Sequence, residues 1–331
     1  MIDLRMWARA LRVIPRVSKP EWDRLDIVSR WLIATRAAVF IMTAVSAGVG
    51  GLLAVRDGVF SGPRFVACLL GLVFAHATNN LLNDLTDHLK GVDRDNYFRA
   101  QYGPQPLEHG LLTIRQLLRY IAFSGAIALV AGIYLVAVTG GVTLSLFAAG
   151  IFFVLFYTWP LKYYGLGEPA VLLVWGPLMV GGTYFVVSNG HYDPSVTWIS
   201  LAYAIGPTAV LFGKHTDKLE ADRAKGIRTL PVLLGEPAAR LGVVGMLIVQ
   251  QLLTLGLVAR GALGWPMLLV LFALPALRET IAVFLRPRPT TRPEAFPAHI
   301  WPIYLVAYAF RYNRVFGLLF LGGLLIDLWL S

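Results

Sequence analysis

Residues 79–96 read NNLLNDLTDHLKGVDRDN. The preceding residues, near 64–86, are long and apolar enough to be a membrane helix, so this stretch lies where the chain leaves a bilayer. It carries four carboxylates, Asp84, Asp87, Asp93 and Asp95, at the end of that helix. Taking charge out of water is costly, so such a cluster is expected to have something to bind. Positions three, four, seven and eleven apart share a helix face, and His76, Asn80, Asn83 and Asp87 fall on that spacing with Asp84 adjacent. Hydrogen bonding between helices by Asn and His accounts for one or two amides, but not for several clustered acids.

Outward from this stretch, the apolar character runs the length of the chain. Of 331 residues, 57% are hydrophobic and 15% charged, with a mean hydropathy of +0.65. A soluble protein carries about 25% charged residues, so the reading is an all-α integral membrane protein. About nine transmembrane helices are expected, near 31–55, 64–86, 117–139, 142–159, 169–188, 196–213, 238–259, 263–285 and 300–329. The last is long enough to tilt, kink or split at FRYNR (310–314). Residues 1–30 form a basic N-terminal segment, broken by prolines and without the apolar core of a cleavable leader, and residues 31–331 form one transmembrane domain. The single cysteine, Cys68, lies in an apolar run, which excludes disulfides and a cysteine-based metal site.

The net charge of +10 comes from basic residues between the apolar spans, with no nucleic-acid motif. They sort by loop. The N-terminal segment and the connections after spans two, four, six and eight hold them, whereas VTGG (138–141) and SNGHYDPS (188–195) hold almost none. By the positive-inside rule the N-terminus and both acidic stretches are cytoplasmic, at the cell (inner) membrane.

Carboxylate and amide oxygens without cysteine partners suit Mg²⁺, which takes one or two protein carboxylates and completes its shell with water and substrate phosphate. Lys90, Arg94 and Arg99 stand nearby as phosphate partners. Acid, base and a greasy surround together point to a lipid diphosphate. A second charged stretch, GKHTDKLEADRAKGIRTLPVLLG (213–235), admits two readings. Asp217 and Glu220 could share a face as a second site, or Lys218–Asp222 is an i,i+4 pair at an ordinary mixed-charge helix end. Both acidic stretches precede a loop with Gly and a Pro-Leu or Leu-Pro pair, GPQPLEHGLL (103–112) and GIRTLPVLLG (226–235), a weak sign of internal duplication. Two acid-bearing helix ends from separate halves could then serve one cavity.

These residues resemble a known family. NDLTDHLKGVD (83–93) is similar to the first Asp-rich motif of the UbiA superfamily of intramembrane prenyltransferases. The six-residue gap from Asp87 to Asp93, with Gly91 between, resembles the MenA branch, the 1,4-dihydroxy-2-naphthoate prenyltransferases. FYTWPLKYYGLGEPAVLLVWGPLMVGGTYF (156–185) resembles that branch's loop and fifth helix, and ADRAKGIRTLPVLLG (221–235) the tail of its second motif. The resemblance implies a bundle around a central cavity, Mg²⁺ as cofactor, an isoprenyl diphosphate donor and an aromatic acceptor such as dihydroxynaphthoate, as in menaquinone biosynthesis. It implies Asn83, Asp87, Asp93 and Asp222 at metal, and Asp84, Asp87 and Lys162 in catalysis; outside the matched positions, Asp217 is expected at metal and Lys218 in catalysis. Asn80, Lys90, Arg94, Arg99, Tyr157, Tyr163, Lys214 and Arg228 are expected at substrate. The lipid bilayer is a partner and nucleic acid is not.

The match departs from the family in the second motif, where Lys218 stands in place of an acid and Asp217 is displaced by about 100° of helix. Either the helix is unwound there so that Asp217 still reaches metal, or Lys218 neutralises phosphate itself. Glu108 and His109 stand where MenA-like loops often carry a basic residue. Histidines 76, 109 and 215 are read as structural. Two other functions compete: a UbiA-type terpene cyclase acting on an isoprenyl diphosphate alone, and a transporter, whose acids would sit near the midplane instead of at helix ends.

Overall fold

The computed structural model describes residues 2–94, 103–298 and 300–330; Asp95 and the candidate phosphate ligand Arg99 lie outside them. Among the described residues every regular element is helical. Eight helices are long and apolar enough to cross a membrane. The expected fourth span is a ninth, shorter helix, Gly141–Phe156. Its 16 residues rise about 24 Å, short of a full hydrocarbon thickness of about 30 Å. The last span is one helix, Leu305–Leu330, with no break at FRYNR.

The chain divides into two compact units, residues 1–45 with 66–159, and residues 46–65 with 160–331. In the first, α1 (Leu4–Arg12), α2 (Lys19–Arg24) and α3 (Ile27–Ala34) precede the membrane helices. Asp26 accounts for how this basic segment is held. It caps α3 by accepting from the Val28 and Ser29 amides, and it also accepts from the Trp7 indole and the Asp3 amide. Burial opposes ionisation of Asp26, but the hydrogen bonds from Ser29, Trp7 and Asp3 outweigh it and hold the carboxyl below the usual carboxylate range. Ala10 and Trp22 then join one apolar cluster with Leu32, Ile33, Leu81 and Leu117.

Helix α3 ends at Ala34, inside the expected first span. Arg36 is left-handed (φ 58°, ψ 49°), and a 3₁₀ turn, Ala37–Val39, leads into α4 (Phe40–Arg56). The span is therefore Ala37–Arg56 instead of one beginning at residue 31. α5 (Gly62–Leu89), α6 (Ile114–Thr139) and α7 (Gly141–Phe156) follow; residues 46–65, at the end of α4 and the start of α5, belong to the second unit and the rest to the first. A Cβ at Gly132 would lie 2.1 Å from the Phe147 ring, so α6 and α7 pack closely only because that residue is glycine.

The second unit is built around α9 (Pro194–Asp217); 72% of its apolar window is buried inside the protein, against 11% for α6. α8 (Gly167–Val187) carries a π-helical stretch, Val174–Gly181, that contains Pro177. Proline removes an amide donor and forces the ladder to open, which accounts for the wider turns. The rest is α10 (Leu219–Ala224), α11 (Leu230–Leu234), α12 (Glu236–Ala259), α13 (Trp265–Phe284) and α14 (Leu305–Leu330). Small residues set the spacing: a Cβ at Gly176 would stand 3.1 Å from the Ser200 carbonyl, and one at Gly50 only 2.4 Å from that of Val180. In a bilayer, such close backbone approach replaces the hydrophobic drive that holds soluble helices together.

Gly50→Ala is therefore expected to lower the thermal midpoint of the detergent-solubilised protein, by about 1–3 kcal/mol of stability. Gly245→Ala, where nothing stands within 4 Å of the added carbon, should be neutral or stabilising. Equal midpoints for the two variants in a thermal melt would contradict this packing.

Candidate active site

The polar stripe on α5 is read most simply from its inner end outwards. His76 Nδ1 lies 2.7 Å from the Thr43 hydroxyl, and Asn80 donates its side-chain amide to the Thr35 carbonyl at 2.8 Å. Arg36 donates to the Asn80 carbonyl at 3.1 Å and to Asp84 Oδ1. The inner rungs thus secure the break between α3 and α4, and Asn80, expected at substrate, spends its amide on that break. Arg36 was not singled out from sequence. Its charge matches a buried Asp84 (3% exposed), and an unmatched carboxylate there would be costly.

Beyond these rungs, Asp87 and Asp93 are buried (1% and 5%) and Asn83 is half-buried, while Lys90 and Arg94 are exposed. The end of α5 explains how Asp93 follows Asp87 closely. Gly91 is left-handed (φ 66°). Its amide donates to the His88 carbonyl, and that of Val92 reaches back to Asp87. This is a Schellman cap, with glycine at the one position that demands positive φ. His88 is tied at 2.6 Å to Glu108 in the following loop. Lys90 stands over the Trp159 ring, 5.0 Å from its centroid, and with Thr86, Leu155 and Phe156 these residues line a cleft of about 280 Å³. Tyr157 is half-buried in the same unit.

In the second unit the same device recurs. Gly226 is left-handed (φ 71°), its amide donates to the Arg223 carbonyl, and that of Ile227 donates to Asp222. The segments DHLKGV (87–92) and DRAKGI (222–227) align on this cap, with a buried Asp opening each and a buried apolar residue closing it. The duplication suspected from sequence is a duplicated helix end. Lys218 Nζ contacts Asp222 Oδ1 at 2.8 Å. The expected i,i+4 pair therefore exists, but it is sunk in the protein: the two side chains are 12% and 2% exposed. Asp222 Oδ2 is buried and has no hydrogen-bond partner among the described residues.

Asp217 requires a correction. α9 does break at Lys218 (φ −111°), as one alternative supposed, yet Asp217 does not turn toward a ligand site. Its Oδ1 accepts from the Leu305 amide at 2.9 Å and from Arg288 Nε at 3.0 Å, and its Oδ2 accepts from Val306 at 3.0 Å. It caps the N-terminus of α14, where the helix dipole favours an anion, and is not placed as a metal ligand. Among the other expected residues, Lys162 is buried with Nζ 5.5 Å from the Tyr163 ring centroid. Tyr163 and Lys214 are half-buried and Arg228 is exposed.

One buried acid, Glu168, escaped the sequence reading although it lies within a quoted motif. Its Oε1 accepts from His215 Nδ1 at 2.6 Å and its Oε2 from the Leu230 amide at 3.3 Å. No periodicity marks such a residue, because its partners are 47 and 62 positions away.

The donor set fits Mg²⁺ in kind. Among the described residues, no three His, Cys, Asp or Glu side chains gather into a ready-made ligand cluster. Mg²⁺ instead uses one or two carboxylates and completes its octahedron with water and phosphate oxygens. Asp222 Oδ2, a buried carboxylate oxygen with no hydrogen-bond partner among the described residues, has the chemistry of such a contact.

Among the described residues the elements are all helical, eight helices are long and apolar enough to cross a membrane, and acids stand at two helix ends; this defines a helical integral membrane protein. The model of the UbiA prenyltransferase family matches residues 41–303. The chain belongs to that family and is a prenyltransferase, an enzyme transferring alkyl groups other than methyl. It is 28% identical over 242 residues to the 1,4-dihydroxy-2-naphthoate octaprenyltransferase of Haemophilus influenzae, covering 70% of this chain and 77% of that protein. The fold matches an apo UbiA homolog from Aeropyrum pernix K1 (TM-score 0.66, 18% identity, 88% of this chain and 98% of that one). It also matches a UbiA homolog from Archaeoglobus fulgidus bound to GPP and Mg²⁺ (TM-score 0.59, 14% identity, 90% and 99%).

Asp217→Asn is expected to destabilise the protein by about 1–3 kcal/mol, through amide–amide repulsion at the α14 cap, with the Mg²⁺ dependence of turnover unchanged. Asp222→Asn should weaken the Mg²⁺ response, and it should also lower the melting temperature because it removes the buried partner of Lys218. A Mg²⁺ titration shifted by Asp217→Asn at unchanged stability would restore Asp217 to the metal.

Proposed function

We propose that this enzyme transfers an isoprenyl group from its diphosphate to an aromatic acceptor of the dihydroxynaphthoate type, in quinone-type biosynthesis. The observation that carries the reading is the pair of glycine-capped helix ends, each holding a buried Asp, with Asp222 Oδ2 left unmatched. The similarity to a named naphthoate octaprenyltransferase supports the acceptor class. The GPP and Mg²⁺ bound to a structural neighbour support the donor class and the cofactor.

In this reading Asn83, Asp87 and Asp93 in the first unit would hold Mg²⁺, as would Asp222 in the second, and the ion when bound would neutralise the charge that develops on the departing diphosphate. Lys162, Lys218 and Lys214, together with Arg228, Lys90, Arg94 and Arg99, add fixed positive charge at diphosphate oxygens, and Asp84 holds Arg36 in place. The allylic carbon–oxygen bond breaks and its electron pair leaves with diphosphate. A ring carbon of the acceptor then forms the new carbon–carbon bond, and the ring expels a proton or, from a carboxylated carbon, carbon dioxide. Apolar and aromatic walls, Tyr157 and Tyr163 among them, exclude water and favour the allylic cation. Residues 31–331 are proposed as the transferase domain. By the loop charges, residues 1–30 and the acidic helix ends face the cytoplasm, at the cell membrane.

Purified protein incubated with isoprenyl diphosphates of several lengths, with and without dihydroxynaphthoate, should yield a prenylated naphthol by mass only when donor, acceptor and Mg²⁺ are all present. A cyclised hydrocarbon or alcohol formed from donor alone would contradict the transferase reading in favour of a cyclase. Asp87→Asn should reduce Mg²⁺-dependent diphosphate release by about 100-fold or more with the fold intact; full turnover by that variant would remove Asp87 from the metal.

A further inference from the structure

The segment YGLGEP (164–169) makes a turn that only small residues allow. Gly165 is left-handed (φ 77°), and a Cβ there would stand 2.5 Å from Leu233 Cδ1 and 3.4 Å from the Arg228 carbonyl oxygen. A Cβ at Gly167 would lie 3.4 Å from the Cα of Lys162. The turn that follows Lys162 therefore lies, at Gly165, against the backbone at Arg228. At the seam sits Glu168, 1% exposed, facing His215, 2% exposed. The 2.6 Å contact between Glu168 Oε1 and His215 Nδ1 fixes the ring's orientation. The second oxygen holds the amide of Leu230, two residues beyond Arg228.

One carboxylate thus joins three separate pieces of chain: the start of α8 just after Lys162, the last turn of α9 just before Lys218, and the first residue of α11 just after Arg228. Lys218 follows His215 by three residues, and its Nζ contacts Asp222 at 2.8 Å. Burying a carboxylate merely to fasten loops is a poor bargain, since apolar contacts serve as well without the desolvation penalty. The three segments it fastens share one property: each carries a cation beside the joint.

We propose that Glu168 is a positioning residue for diphosphate handling, fixing where Lys162, Lys218 and Arg228 stand through its bonds to His215 and the Leu230 amide. It touches no substrate itself. The inference rests on the transferase reading above and adds the residue that organises its cationic side.

The test uses the full-length protein in detergent and inorganic pyrophosphate with Mg²⁺ as the probe, read by calorimetry. KM values for donor and acceptor and a thermal midpoint are measured for each variant. Glu168→Ala should weaken pyrophosphate binding roughly 10- to 100-fold and raise the donor KM in parallel, as loss of an outer support does at a ligand site, with the acceptor KM within about twofold of wild type. Glu168→Gln, which keeps one acceptor oxygen, should fall between, and it decides the matter by the same readings if the alanine variant does not fold. Wild-type pyrophosphate affinity in a folded variant, or equal losses for donor and acceptor, would overturn the positioning role. Failure of the wild-type protein to bind Mg²⁺–pyrophosphate would instead overturn the transferase reading, and this inference with it.

Discussion

The structure turns on the cost of keeping carboxylates at the ends of apolar helices. Asp84, Asp87, Asp93 and Asp222 are all nearly inaccessible, in a chain with few charges to spare. Such groups survive only when matched, and the protein matches them unevenly. Asp84 is given Arg36, and one oxygen of Asp222 is given Lys218. The other oxygen of Asp222 is given nothing among the described residues. A buried anion left partly unsatisfied favours a bound cation, and this is the ground on which Asp222 is proposed as a metal contact.

Glycine supplies the geometry for this arrangement. Each acidic helix ends in a cap whose left-handed residue is Gly91 or Gly226, and the returning amide of Val92 or Ile227 bonds to the carbonyl of the very aspartate concerned. The acid's backbone is thereby fixed by the turn that ends its helix, and a buried apolar residue anchors the exit. Elsewhere in the protein glycine serves a different purpose. At Gly50, Gly132 and Gly176 it permits helix contacts that any Cβ would prevent, so the sites stand on closely packed supports.

Much of this was legible in sequence because it is local. Hydropathy over windows of about 20 residues locates the spans, and helical spacing places Asn80, Asn83 and Asp87 on one face. The repeat shows in DHLKGV and DRAKGI once both are known to end helices. What sequence did not show is set by distant partners. Asp217 looked like a displaced metal ligand because Lys218 fills the family's acid position and Asp217 stands one residue before it, but its partners are the amides of Leu305 and Val306, 88 and 89 positions away. Arg36 sits in what hydropathy reads as a continuous span, and the break there is stabilised from α5 through Asn80 and Asp84. Glu168 lies in a motif whose glycines draw attention, while its role depends on His215 and Leu230.

The central claim is that buried helix-end carboxylates take up a divalent ion jointly with diphosphate. The most direct measurement is electron paramagnetic resonance of Mn²⁺, an octahedral oxygen-seeking stand-in for Mg²⁺, titrated into the wild-type protein with and without pyrophosphate. The account predicts weak uptake of Mn²⁺ alone and strong uptake once pyrophosphate is present, with a signal distinct from that of Mn²⁺–pyrophosphate in buffer. A spectrum identical to the buffer complex at every protein concentration would contradict it.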